Sequence, residues 1–199
     1  MTSKQTIKIQ DKTLTDFRIT TFQNAKRLLF ESESLFNSEL FPTSTFLSIT
    51  SIEEMGKFYL GRVLANKNNQ NKLSKKDLDM LMRHPPKQLN SFLPPFPFKK
   101  DRKISTNISK FWELVVDKKL MTIRNNCLYV GFNNNIADVI SPIKITTRTE
   151  SLYFLETAFE IMILQVDSLL NSLDCTYEFM FLQCESDILK NKLKLITQE

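Results

Sequence analysis

Glycine is scarce and histidine nearly absent: the 199 residues contain 3 Gly and 1 His. So few glycines leave few tight hairpin turns, which argues against an all-β sandwich or barrel. One histidine excludes a His-rich metal centre within a single chain. The 3 cysteines, Cys127, Cys175 and Cys184, are odd in number and far apart, so neither a disulfide framework nor a zinc site follows. The opening residues, MTSKQTIKIQDK, lack the apolar centre of a secretory signal. The longest apolar stretch, 152–173, is interrupted by Glu156, Glu160 and Asp167, which argues against a membrane span. Neither a glycine-rich phosphate loop nor a nucleophile elbow is present. The expectation is a reduced, cytoplasmic protein with no metal and no cofactor.

What the chain does have is apolar and aromatic. Its apolar content is 42% and it carries 16 Phe, enough for a core and well suited to long packed helices. The net charge of +5 is uneven. Residues 66–103 hold ten Lys or Arg and three acids, whereas the remainder is slightly acidic. Such a segment can recruit RNA or an acidic partner, with Lys72, Lys75, Lys76, Lys99 and Lys100 as the candidate contacts, or it can be a solvated face.

Hydrophobic periodicity predicts an all-α chain of five to six helices forming one domain, with a short strand or loop insertion near 123–145. Residues 1–12 read as a loose polar lead-in. Phe22, Ala25, Leu29 and Phe36 predict a helix over 15–38. After Pro42, a second helix over 43–67 starts at Thr43 or Ser44 as N-cap. It carries two apolar stripes, which makes it central: Phe46, Ile49, Leu60 and Leu64, and Ile52, Met55, Tyr59 and Val63. Ser74, with Asp77 three residues on, starts a third helix whose inner face is Leu78, Leu81 and Met82 and which ends near Arg83, before Pro85 and Pro86. A short helix over 107–120 surrounds Trp112. Residues 127–130 read as a strand, and Pro142 as loop. Long helices follow over 147–173 and 176–195, the last using Phe181, Cys184, Ile188 and Leu195.

Two local features could carry chemistry. In Ile52-Glu53-Glu54-Met55-Gly56-Lys57, Glu53 falls within an apolar stripe. A buried carboxylate is costly unless paired, and Lys57, four residues on, is the first candidate partner. Gly56, a poor helix former, implies that another chain segment passes close. The alternative to a catalytic role is an ion pair that fixes helix register. In Arg83-His84-Pro85-Pro86-Lys87, His84 is expected at a helix C-terminus, where the dipole favours the charged ring and Arg83 and Lys87 oppose it. That balance makes it a candidate general acid or base, and the flanking cations could hold a phosphate. These are parts sufficient for metal-independent RNA cleavage. A surface histidine that only caps or packs is the plainer alternative. Asn24 could be a buried hydrogen bonder, and Arg124 and Tyr129 could anchor the strand-like segment.

Taken in order, these pieces resemble the abortive-infection V (AbiV) family of the HEPN-like superfamily. The resemblance lies in Phe22-Gln23-Asn24-Ala25-Lys26-Arg27-Leu28-Leu29, in Glu53-Glu54-Met55-Gly56-Lys57, in His84-Pro85-Pro86-Lys87, in Leu128-Tyr129-Val130 and in Pro142. It implies a HEPN-like helical bundle and a role in bacterial phage resistance. Family members are expected to arrest translation, with a phage-encoded protein as trigger or partner. HEPN relatives imply a homodimeric endoribonuclease whose site pairs an Arg with a His four to six residues further on. Here Arg83 is the immediate neighbour of His84, which departs from that pattern. The resemblance thus implies a variant catalytic set of Glu53, Lys57, Arg83, His84 and Lys87, supported by Asn24, Glu54, Gly56 and Tyr129. A non-catalytic dimer that sequesters RNA, the ribosome or a phage protein is the alternative.

Overall fold

The computed structural model describes residues 6–91, 105–133, 138–170 and 178–198. Two long helices, α1 (Asp11–Asn37) and α2 (Phe41–Asn69), form an antiparallel pair joined by a three-residue turn with Glu39 at φ 59°. Pro42 sits in the first turn of α2 rather than before it, where its missing N–H costs nothing. The helix therefore starts two residues ahead of the expected Thr43 or Ser44 cap. Ser44 is buried instead, and the Ser32 hydroxyl on α1 lies 3.1 Å from its hydroxyl and 2.7 Å from that of Ser48. Ser51 donates to the Ala25 carbonyl at 2.8 Å. These small side chains let the two backbones approach closely and satisfy their own hydroxyls in the crossing.

The expected apolar stripe of α1 is buried at Phe22, Ala25, Leu29 and Phe36. The central position of α2 is also found: it packs against α1, the short α4 (His84–Asn90) and α6 (Leu120–Asn126), and the long α8 (Arg148–Leu170). Phe154, Leu155, Phe159, Met162 and Val166 of α8 complete the main core with α9 (Glu178–Ile196). On α9 the inward stripe is Leu189, Leu193 and Ile196. Ile188 and Leu195, expected inside, are 43% and 64% exposed. The phase is turned by one residue, and Glu185 faces inward with it, paired with Lys26 of α1 at 2.7 Å. Phe181 and Cys184 fall among side chains outside the described set, as does Cys175; Cys127 is a buried free thiol.

Among the described residues there are nine helices, against the five to six expected. The three beyond those expected are short: α4 (His84–Asn90) and α7 (Pro142–Ile145), both at prolines that predict a break or a loop, and α6 (Leu120–Asn126), beside the expected α3 (Lys75–Asp79) and α5 (Thr106–Val116). The predicted strand at 127–130 is not one. Leu128 and Tyr129 donate backbone N–H groups to the Asn125 carbonyl, closing α6. A small antiparallel pair follows instead, β1 (Gly131–Asn133) with β2 (Asp138–Ile140).

A second, smaller cluster of Leu14, Leu64 and Leu73 lies at the far end of α2, with Leu78 and Leu81 against it. Met82, expected on that inner face, is 80% exposed, because α3 ends at Asp79 and the chain turns away. Residues 7–9, expected to be loose, are tied here. Ile7 N–H donates to the Leu73 carbonyl at 2.8 Å, and Asn68 exchanges two hydrogen bonds with the Ile9 backbone. No helix among the described residues is long and apolar enough to cross a membrane.

Candidate functional site

Glu53 lies midway along α2 and is 1% exposed. Its partners come from two other helices. The Nδ1 of His84 is 2.7 Å from Oε2, and Gln88 donates from Nε2 to Oε1 at 2.8 Å. Lys87 Nζ approaches Oε2 at 3.9 Å and Arg124 Nε approaches Oε1 at 4.0 Å, both outside hydrogen-bond reach. Arg124 belongs to α6, and its guanidinium carbon lies 4.8 Å from the centroid of the Phe46 ring. Lys57, the partner expected from spacing, pairs with Glu54 instead. An i, i+4 lysine must reach along the helix surface, whereas Glu53 points inward to α4.

The short helix α4 explains this set. Its prolines occupy the first turn, which they tolerate, so His84 opens a helix rather than closing α3. The expected C-terminal dipole therefore does not act on it. Within α4, His84, Lys87 and Gln88 stand at i, i+3 and i+4 and share one face. That face lies on α2 because Gly56 has no side chain: a Cβ there would fall 1.7 Å from the Lys87 carbonyl oxygen. The far end of α4 is held by Gln165 of α8, which donates to the Ser91 carbonyl at 2.6 Å.

The arrangement has direct chemical consequences. With Glu53 as a carboxylate, its oxygens only accept, so Nδ1 of His84 carries the proton. In the neutral ring Nε2 is then left as the acceptor, on a side chain that is 31% exposed. Burial pushes the Lys87 ammonium below its ordinary range; Glu53 and Glu54 act against the shift, while Lys57 and Arg124 add to it. Its side chain is 6% exposed.

Other expected residues lie elsewhere. Arg83 is exposed as the residue preceding α4. Asn24 is half-buried and accepts from Arg27 at 3.0 Å along the surface of α1, so it does not support the Glu53 cluster. Tyr129 is 65% exposed. Lys72, Lys75 and Lys76 are exposed around the start of α3, and Lys99 and Lys100 lie outside the described residues. Gln88 and the placement of Arg124 were missed. Gln88 shares the His84 face only once the prolines are taken as a helix start, which spacing alone does not decide. Arg124 carries no local signal. Among the described residues no group of three His, Cys, Asp or Glu side chains is placed to hold a metal ion.

The family model HEPN_AbiV, described as AbiV, matches the chain over residues 13–163. No curated protein and no solved structure matches it. The matched span runs from the first turn of α1 into α8 and includes every residue of the Glu53 cluster.

Proposed function

The chain belongs to the AbiV family of HEPN proteins, and from that premise we propose that it is an abortive-infection effector acting as a metal-independent endoribonuclease. In this reading Nε2 of His84 takes the proton from a ribose 2′-hydroxyl. The 2′-oxygen attacks the adjacent phosphorus as the P–O5′ bond breaks; the 5′-oxygen takes a proton from water, giving a 2′,3′-cyclic phosphate and a 5′-hydroxyl, and the proton held on Nε2 returns to solvent. Glu53 is a positioning residue that holds the ring and its tautomer, and Lys87 contributes positive charge beside the reaction. Cleavage of RNA needed for translation would arrest the infected cell. A symmetric homodimer and a phage-encoded trigger complete the proposal.

The observation that carries it is the 2.7 Å contact between a buried carboxylate and a half-exposed imidazole. A histidine that merely caps a helix has no need of a carboxylate taken from another helix. The test is expression of wild type and His84→Ala with phage present, followed by sequencing of RNA ends. Wild type should produce new 5′-hydroxyl ends and His84→Ala should not; equal cleavage by both removes the proposed base.

A second reading is sequestration of RNA, the ribosome or a phage protein without catalysis. It is favoured by the exposed Lys72, Lys75 and Lys76. It expects His84→Ala to keep its protection and charge reversal at the three lysines to abolish it. Full protection by the triple variant would sink this reading.

A further inference from the structure

The charges around Glu53 do not balance, and the imbalance is local. Lys87 feels two other cations, Lys57 and Arg124, and the two carboxylates of Glu53 and Glu54. Lys57 is committed to Glu54. Lys87 and Arg124 therefore share Glu53, whose two oxygens are already taken at hydrogen-bond distance by His84 and Gln88. Among the described residues one positive charge is left without a carboxylate of its own. Charges this buried normally come paired.

Arg124 shows the same deficit in its hydrogen bonds. Its Nε is buried and has no hydrogen-bond partner among the described residues. Its guanidinium carbon lies 4.8 Å from the centroid of the Phe46 ring. Its side chain keeps 17% exposure, so part of it remains within reach of a solute. A guanidinium whose nearest carboxylate is beyond hydrogen-bond distance has donors to spare for an incoming anion.

We infer that Arg124 and Lys87 together form a phosphate-binding subsite beside His84. The inference rests on the reading of this cluster as the functional site and adds the group that receives the ligand's charge. The two cations approach different oxygens of Glu53, so an anion that engages both offers at least two oxygens, as a phosphate does. Repulsion from Glu53 opposes binding, and the two under-used cations outweigh it. The phosphate could belong to a free mononucleotide or to a diester within an RNA strand.

The test is titration calorimetry of the full chain at constant ionic strength, because phosphate also stabilises proteins non-specifically. The probes are inorganic phosphate, a short oligoribonucleotide and adenosine. Phosphate and the oligoribonucleotide should bind and adenosine should not. Arg124→Gln should weaken both by about tenfold or more. Binding of the oligoribonucleotide alone, still lost in Arg124→Gln, assigns the subsite to the diester. If neither charged probe binds, or if Arg124→Gln binds as wild type does, the subsite is overturned. Should Arg124→Gln not fold, as judged by its melting curve, Arg124→Lys decides. Lysine keeps the charge but not the planar fork, so roughly a threefold loss is expected and unchanged affinity overturns the inference. The catalytic reading fails separately: if His84→Ala cleaves RNA normally, the base assignment falls while the phosphate titrations stand.

Discussion

Two buried carboxylates, Glu53 and Asp77, are held in opposite ways. Asp77 lies at the start of α3 and accepts from the backbone and side chain of Ser74, three residues earlier, at 2.9 and 2.6 Å, with Lys67 as its counter-ion. Burial would raise its pKa, but the hydrogen bonds from Lys67 and Ser74 outweigh that and hold it below the ordinary aspartate range. Its partners start a helix and fasten it to the end of α2. Glu53 has partners 31, 35 and 71 residues away, one of them a partly exposed histidine. Asp77 is closed by short-range bonds with a structural purpose. Glu53 gathers an imidazole and two cations that its oxygens do not fully satisfy. The difference teaches that burial alone does not mark a site: what marks it is where the partners come from and what they leave unused.

Substitution should separate the two. The largest effect is expected for Glu53→Ala, which leaves Lys87 and Arg124 as buried cations without their shared carboxylate. A loss of about 3–5 kcal/mol in urea denaturation is expected, and a loss below 1 kcal/mol would make Glu53 no more consequential than a surface acid. Next comes Gly56→Ala. The added Cβ meets a backbone carbonyl, so α4 must shift from α2, costing about 1–3 kcal/mol. Since His84 is the single histidine, its ring signals in the NMR spectrum are unambiguous. They should move in Gly56→Ala, and an unmoved imidazole would contradict the packing described. Asp77→Asn should be milder, about 1 kcal/mol, as for other caps. Its pH dependence has a defined sign. The folded pKa lies below the unfolded one, so the stabilisation is complete above the ordinary aspartate range and is lost as pH falls through the folded value. Wild type and Asp77→Asn should converge in stability on acidification; a gap that widens would mean that Asp77 is not the group responsible.

The same contrast explains what could be read in advance. The Ser74–Asp77 pair is a three-residue spacing, so its capping role was legible before any fold was known. The stripes of α1 and α8 were legible for a similar reason, since burial along a long helix repeats every three to four residues; on α2 Ile49, Ile52, Met55, Leu60 and Leu64 are buried as expected, but Phe58 is buried in place of Tyr59 and Val63. The helix at 84–90 was not, because two consecutive prolines mean a break inside a helix but a favourable start at its first turn, and spacing does not tell the two apart. The error at Lys57 has the same origin. An i, i+4 rule describes a helix surface in water, while Glu53 is turned into the contact with α4.

The sequence by itself determined the helical class, the central place of α2, the cap at α3 and the burial of Glu53, all of them properties of residues within a turn or two of one another. Only the tertiary structure decided what Glu53 touches. Gly56 sets the distance at which α4 crosses α2, and that crossing brings His84, Lys87 and Gln88 to one carboxylate while α6 brings Arg124. Contacts between residues 31 to 71 positions apart depend on how helices cross, and helix crossing is a property of the packed whole.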